Sequence, residues 1–142
     1  MTLSSNCFSR PAVIRFSHCD PAGIVFFPQY LVMFNDLVED WFTHGLGVRF
    51  AEFFTVRRLG FPTVSLACGF KAVSRIGDDV VLSIRVERVG TSSITLQLRC
   101  DAGAECRVEV RQVLVATSLE THRPIPLPPD IRQALDTFVQ VH

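Results

Sequence analysis

The sequence predicts an α+β domain in which one long helix lies across an antiparallel sheet of about five strands. Three observations lead there. The chain has 142 residues, 48% hydrophobic and 20% charged, enough for one buried core and short for two. One stretch, 29–44, repeats its apolar residues with a helical period. From Gly60 onward the period changes to alternation in successive runs, the mark of half-buried strands. Residues 1–142 are expected to form a single domain with its core over 12–120.

Pro11 to Phe16 reads as a short extended run that ends at His18-Cys19-Asp20-Pro21-Ala22-Gly23, where Asp-Pro and Gly force a loop. Pro28 stands where a first helical residue is tolerated, and Tyr30, Phe34, Leu37, Val38 and Trp41 then form one apolar face, with Gly45 and Gly47 as the stop. Phe50 to Arg58 suggests a short helix. The alternating runs are Thr63–Val73, Val80–Val89, Ser93–Cys100 and Arg107–Thr117, with reversals at Gly77-Asp78 and Asp101-Ala102-Gly103. Four such strands in succession read as an antiparallel meander. Prolines 124, 126, 128 and 129 then block regular structure, and Ile131, Leu135, Phe138 and Val139 mark a short helix within 124–141.

Fourteen basic and fourteen acidic residues cancel, so no global field recruits nucleic acid or an anionic membrane. No stretch is apolar enough for a membrane span. The five cysteines are odd in number, lack C-x-x-C spacing and follow no apolar leader, which fits reduced structural thiols in the cytoplasm, with Cys68 and Cys100 acting as small hydrophobes in strands. A lone sheet with an open edge also invites pairing with a second copy.

The most chemically loaded segment is the loop before the long helix. Asp20 lies a few residues ahead of a helix N-terminus among Pro, Ala, Gly, Ile, Val and Phe. Amides at that terminus, near Phe27, lack intrahelical partners and carry positive partial charge, so they can stabilise an oxygen that becomes negative in acyl transfer. Asp20 is therefore either a catalytic carboxylate or the cap of an Asp-Pro turn. Phe26 and Phe27 either line an acyl pocket or fill the core. His18, Cys19 and Asp20 are adjacent without a second ligand cluster, which disfavours a metal. G-x-S-x-G, Walker and G-x-G-x-x-G motifs are absent.

The run His18-Cys19-Asp20-Pro21-Ala22-Gly23-Ile24-Val25-Phe26-Phe27-Pro28-Gln29-Tyr30 closely resembles the signature of the 4-hydroxybenzoyl-CoA thioesterase family, hot-dog-fold acyl-CoA hydrolases. The likeness continues more loosely through Gly60 to Ser65, the Gly77-Asp78-Asp79 turn and Val80 to Thr95. It implies a helix wrapped by an antiparallel sheet, homodimers joined edge to edge and paired into homotetramers, and an active site at the subunit interface. It further implies Asp20 as nucleophile or general base, the Phe27 backbone N–H as oxyanion donor, and substrate contacts from His18, Phe26, Thr63 and Ser65. No cofactor is implied beyond the coenzyme A of the substrate. Phe26 replaces a tryptophan of the 4-hydroxybenzoyl enzyme and His18 an acidic residue. Gly90-Thr91-Ser92-Ser93 looks like the Gly-x-Ser-Ser version of broader-range acyl-CoA thioesterases, with Arg88 and Ser92 as coenzyme A contacts. The expected activity is hydrolysis of an acyl-CoA, of the aryl type; a broad-range short-chain acyl-CoA thioesterase and a non-catalytic acyl-CoA-binding protein are the alternatives.

Overall fold

The computed structural model describes residues 7–139; the opening residues 1–6 and the last part of the helix expected within 124–141 lie outside them. Strand β1 (Cys7–Val13) leads through a short 3₁₀ turn at Phe16–His18 to helix α1 (Pro28–Asp40), which continues as a π-helical turn over Trp41–Gly45. Helix α2 (Phe50–Thr55) and strands β2 (Leu59–Gly60), β3 (Thr63–Phe70), β4 (Asp79–Val89), β5 (Ser93–Ala102), β6 (Glu105–Val115) and β7 (Thr117–Ser118) follow, and helix α3 (Pro129–Val139) closes the fold. Five strands form one antiparallel sheet in the order β1-β4-β5-β6-β3, and β2 pairs with β7 in a minor ribbon that the alternation does not reveal.

The four-strand meander is corrected by this order. Only β4, β5 and β6 meander; β3 crosses over to pair with β6, and β4 takes β1 on its free side. The physical reason lies in α1, which precedes β3 and must sit on the sheet's middle, so the strands before and after it flank the meander on opposite edges. β1 also starts earlier and ends earlier than the run from Pro11 to Phe16 suggests. As an edge strand it tolerates Pro11, whose missing N–H would break a central ladder.

Helix α1 buries Tyr30, Met33, Phe34, Leu37 and Val38, and the π-turn adds Trp41 and Phe42. This stripe meets Val80, Leu82, Ile84, Ile94, Leu96, Leu98, Cys100, Val108, Val110 and Leu114 from alternate positions of the central strands. Cys100 is fully buried, which pushes its thiol up to about 12. In the π-turn the Leu46 amide donates to the Trp41 carbonyl at 2.8 Å, and a Cβ at Gly45 would stand 2.6 Å from Trp41 Cδ1, so only glycine lets the indole lie flat there. Phe42 packs on Trp41, Phe50, Phe53 and Phe61, and Phe138 of α3 reaches Trp41.

The cover is incomplete at β3. Leu66, Cys68 and Phe70 share a face with buried Gln112, Val110 and Val108, yet Leu66 and Phe70 are 44% and 50% exposed. Cys68 is exposed as well, which corrects its reading as a packed strand residue: the helix axis runs over β4–β6 and leaves the edge bare.

Because Phe42 is wholly buried at the hub of four ring contacts, Phe42→Ala is expected to lower the unfolding free energy by about 3–5 kcal/mol. Urea denaturation followed by tryptophan fluorescence checks this, since Trp41 is the only tryptophan.

Candidate active site

Between β1 and α1 the chain folds into a tight hairpin of its own. His18 closes the 3₁₀ turn by accepting the Arg15 amide on Nδ1 at 2.9 Å, so its ring proton sits on Nε2. Cys19 then bridges to Val25, the Phe26 amide donates to the His18 carbonyl at 3.0 Å, and the Asp20 amide donates to the Ile24 carbonyl at 3.0 Å. Gly23 turns the tip with φ +79°, a conformation other residues adopt with strain. Asp20 Oδ1 accepts the Ala22 amide at 2.8 Å. The turn-capping role is therefore real, and it occupies one oxygen; Oδ2 has no hydrogen bond among the described residues.

The hairpin is stitched to one end of the sheet. The Val25 amide donates to the Ser74 carbonyl at 2.9 Å, and the Ile76 amide to the Gly23 carbonyl at 3.0 Å. Segment 73–78 is fixed in turn by Arg107 of β6. Its Nη1 donates to the Val73 carbonyl (2.9 Å), the Ser74 hydroxyl (3.2 Å) and Asp78 Oδ2 (2.8 Å), while Nε donates to Glu105 at 2.6 Å. The Arg75 amide also donates to Asp78 Oδ2 at 2.9 Å. The Arg107 guanidinium, with the Arg75 amide second, holds the Asp78 carboxyl below the usual carboxylate range.

Phe27 is the N-cap residue of α1. The Gln29 and Tyr30 amides return to the carbonyls of Phe26 and Phe27, whereas the Phe27 amide has no acceptor among the described residues. It sits at the positive end of the helix dipole. The rings of Phe26 and Phe27 are 51% and 57% exposed, so neither belongs to the core. Phe27 meets Phe70 edge-on at 5.9 Å, and Phe70 meets Tyr30 at 6.1 Å. These three rings, with Val25 and Ser74, line a cleft of ≈ 280 Å³. Burial pushes the Tyr30 phenol up from its ordinary value.

The remaining sequence-predicted residues lie elsewhere. Phe70 pairs with Val108, while Thr63 pairs with Leu114; these partners are six residues apart on β6, roughly 20 Å. A β-bulge between Thr63 and Ser65 turns the two toward opposite faces. Thr63 Oγ1 accepts from Gln112 Nε2 at 2.7 Å on the inner face. Arg88 and Ser92 occupy the β4–β5 end, about nine residues along β4 from Asp79, or roughly 30 Å. Asp20, His18, Phe26 and Phe27 thus cluster at one end of the sheet and Thr63, Ser65, Arg88 and Ser92 at the other. Tyr30, Phe70, Asp78 and Arg107 escaped the sequence reading as site residues. The apolar alternation Leu66-Cys68-Phe70 was the available signal for Phe70; the long-range pairing that seats Arg107 had none. Among the described residues no three His, Cys, Asp or Glu side chains gather into a metal-holding group, and no helix is long and apolar enough to cross a membrane.

A helix clasped by a five-stranded antiparallel sheet, with a carboxylate hairpin delivered to the helix start, is the hot-dog architecture of the thioesterases. Residues 14–135 match the thioesterase-like superfamily, and the chain belongs to that family. It is therefore an enzyme of the thioesterase type, as the resemblance of the Asp20 segment implies. A curated relative, the 1,4-dihydroxy-2-naphthoyl-CoA hydrolase of Nostoc punctiforme, is 25% identical over 92% of this chain and 87% of its own. The fold also matches the 1,4-dihydroxy-2-naphthoyl-CoA thioesterase Slr0204 from Synechocystis, with a TM-score of 0.83, 19% identity, and coverage of 92% of this chain and 96% of that one. A 4-hydroxybenzoyl-CoA thioesterase in which an aspartate is replaced by asparagine, crystallised with 4-hydroxybenzoyl-CoA, matches with a TM-score of 0.82, 19% identity, and coverage of 92% and 99%.

The Asp78–Arg107 pair links the hairpin's anchorage to pH. A carboxyl whose folded pKa is depressed contributes stability above its unfolded value of about 3.9, and that contribution is lost as pH falls through the folded value. Thermal melts from about pH 6 down to about pH 2, across the range in which a depressed carboxyl takes up its proton, are expected to show an acid decline that is shallower in Asp78→Asn, which has no proton to take up.

Proposed function

We propose that this protein hydrolyses an aryl-CoA thioester to the free acid and coenzyme A, with Asp20 attacking the carbonyl or activating the water that does. The observation that carries the reading is a short hairpin that bears a carboxylate with one free oxygen and runs directly into the unpaired Phe27 amide at a helix start. The amide would receive the thioester oxygen as it gains charge. The departing thiol has a pKa of about 8.5, low enough to leave as thiolate without a dedicated acid. No further cofactor is needed for that chemistry. The cleft of Phe27, Tyr30 and Phe70 suits a flat ring, since edge-on aromatic contacts add about 0.5–1.5 kcal/mol beyond burial. The named substrates of the relatives, naphthoyl and hydroxybenzoyl thioesters, agree with that choice, and the aspartate-to-asparagine variant crystallised with its substrate agrees with an essential carboxylate. The five cysteines carry no disulfide, in keeping with a cytoplasmic setting.

A homodimer is part of the proposal, because one chain holds only half of the expected contacts. Pairing of β3 with a second β3 about a two-fold axis through the strand's middle would cover Leu66 and Phe70. It would also lay the partner's Thr63 end, with its Arg88 and Ser92, beside this chain's Asp20 hairpin. Further pairing into a homotetramer is compatible with this arrangement.

Thiol release from benzoyl-, hydroxybenzoyl-, dihydroxynaphthoyl-, phenylacetyl- and short aliphatic CoA thioesters is expected to be fastest with the aryl members. Asp20→Asn is expected to lower kcat by roughly 10²–10⁴-fold, the range of a positioned base; undiminished turnover would remove Asp20 from the mechanism. Tight acyl-CoA binding with no hydrolysis of any thioester would instead make this a binding protein. For the dimer, co-refolding inactive Asp20→Ala chains with chains carrying Arg88→Ala and Ser92→Ala is expected to restore activity, since one of the two shared sites regains every group. Absence of rescue would remove Arg88 and Ser92 of a second chain from the site that Asp20 serves.

A further inference from the structure

We propose that Arg132 is a positioning residue for coenzyme A: from α3 it holds the turn between β4 and β5 in the shape that presents Thr91 and Ser92 to the phosphates. The inference rests on the acyl-CoA reading above and names a residue that reading does not include.

The Gly90, Thr91 and Ser92 carbonyls of this turn are bonded to the body of the protein. Arg132 Nη2 donates to the Gly90 carbonyl at 2.6 Å and to the Thr91 carbonyl at 3.3 Å. The Leu127 amide donates to the Thr91 carbonyl at 2.9 Å, the Ala116 amide to the Ser92 carbonyl at 2.8 Å, and the Gly90 amide to the Ser93 carbonyl at 2.8 Å. Because the N–H of a peptide unit points opposite its C=O, the Thr91 and Ser92 amides face away from these acceptors, and neither those amides nor the two hydroxyls have a partner among the described residues. A row of donors with its carbonyls averted is an anion-binding shape.

The charges agree with an anion. Neither Arg132 nor Arg88 has an ion pair among the described residues. The neighbouring carboxylate of Glu87 is already held by Arg111 at 2.9 Å and by Gln97 at 3.1 Å, so it does not neutralise Arg88. Arg132, Gly90, Thr91, Val89 and Pro126 line an open cleft of ≈ 520 Å³, which leaves room for a phosphate beside the turn. Arg132 itself is held in place because α3 is anchored two residues earlier, where Asp130 accepts both arms of Arg57 at 2.8 and 3.0 Å. Removal of the guanidinium frees the Gly90 carbonyl to swing outward, where its negative end would face the phosphates.

The test separates the nucleotide end of the substrate from its reacting end. Steady-state kinetics would be measured with benzoyl-CoA and with benzoyl N-acetylcysteamine, which keeps the thioester and lacks every phosphate. Arg132→Ala is expected to raise KM for benzoyl-CoA about tenfold, with kcat for either substrate and KM for the short thioester unchanged. Arg132→Lys, which keeps the charge but cannot span both carbonyls, is expected to give a smaller rise of about threefold and serves if the alanine variant unfolds. Equal KM rises for both thioesters, or none, would overturn the proposal. Calorimetric titration with free coenzyme A makes the same comparison without turnover: weakening by Arg132→Ala supports the role even if the hydrolysis reading fails, and unchanged affinity refutes it even if that reading stands.

Discussion

A single helix cannot cover a five-stranded sheet, and most of what is distinctive in this molecule follows from that shortfall. Helix α1 spends its apolar stripe on β4, β5 and β6, where Ile84, Ile94, Leu96 and Val108 are fully buried. The strand that follows the helix in sequence is carried to the far edge and left with bare inner side chains. One of those side chains, Phe70, forms a wall of the aromatic cleft beside Phe27, so the gap in the core runs into that cleft. Incomplete burial here costs stability in the isolated chain and leaves an apolar surface open, the one that the proposed substrate and second subunit would use.

Rigidity is concentrated where that space begins. The hairpin of residues 19–25 has too few apolar side chains to hold itself, and it is kept by backbone bonds to segment 73–78. That segment depends on one guanidinium from β6. Arg107 takes part in no proposed bond-breaking step, yet it joins a central strand to the loop that bears Asp20 through Val73, Ser74 and Asp78. The acid sensitivity of Asp78 and the placement of Asp20 are thereby parts of one network.

The helix and the three meander strands were legible because each carries its period in contiguous residues: Tyr30 to Trp41 at steps of three and four, Val80 to Ile84 and Ile94 to Cys100 at steps of two. Pairing order was not, since alternation states which face a residue takes and says nothing about its neighbour strand; hence the misplacement of β3. The two-residue strands β2 and β7 are below the length at which any period can be read. Asp20 and the Phe27 amide could be singled out from residue types beside a helix start. The separation of Thr63, Ser65, Arg88 and Ser92 from them depends on strand register, and the opposite facing of Thr63 and Ser65 depends on a bulge that leaves no mark in composition. Arg107 and Arg132 carry no mark in the sequence because the groups they anchor, Val73, Ser74 and Asp78 for the first and Gly90 and Thr91 for the second, are distant along the chain.

The Asx turn at Asp20 has a stereochemical consequence. With Oδ1 fastened to the Ala22 amide, the side chain can no longer spin about its Cβ–Cγ bond, and its two oxygens cease to be equivalent. In the proposed reaction only the outer oxygen could meet an incoming carbonyl carbon or water, and it would do so along a single approach direction fixed before any ligand arrives. An alanine-sized insertion or deletion between Asp20 and Ala22 would therefore blur the angle of attack while leaving the charge in place.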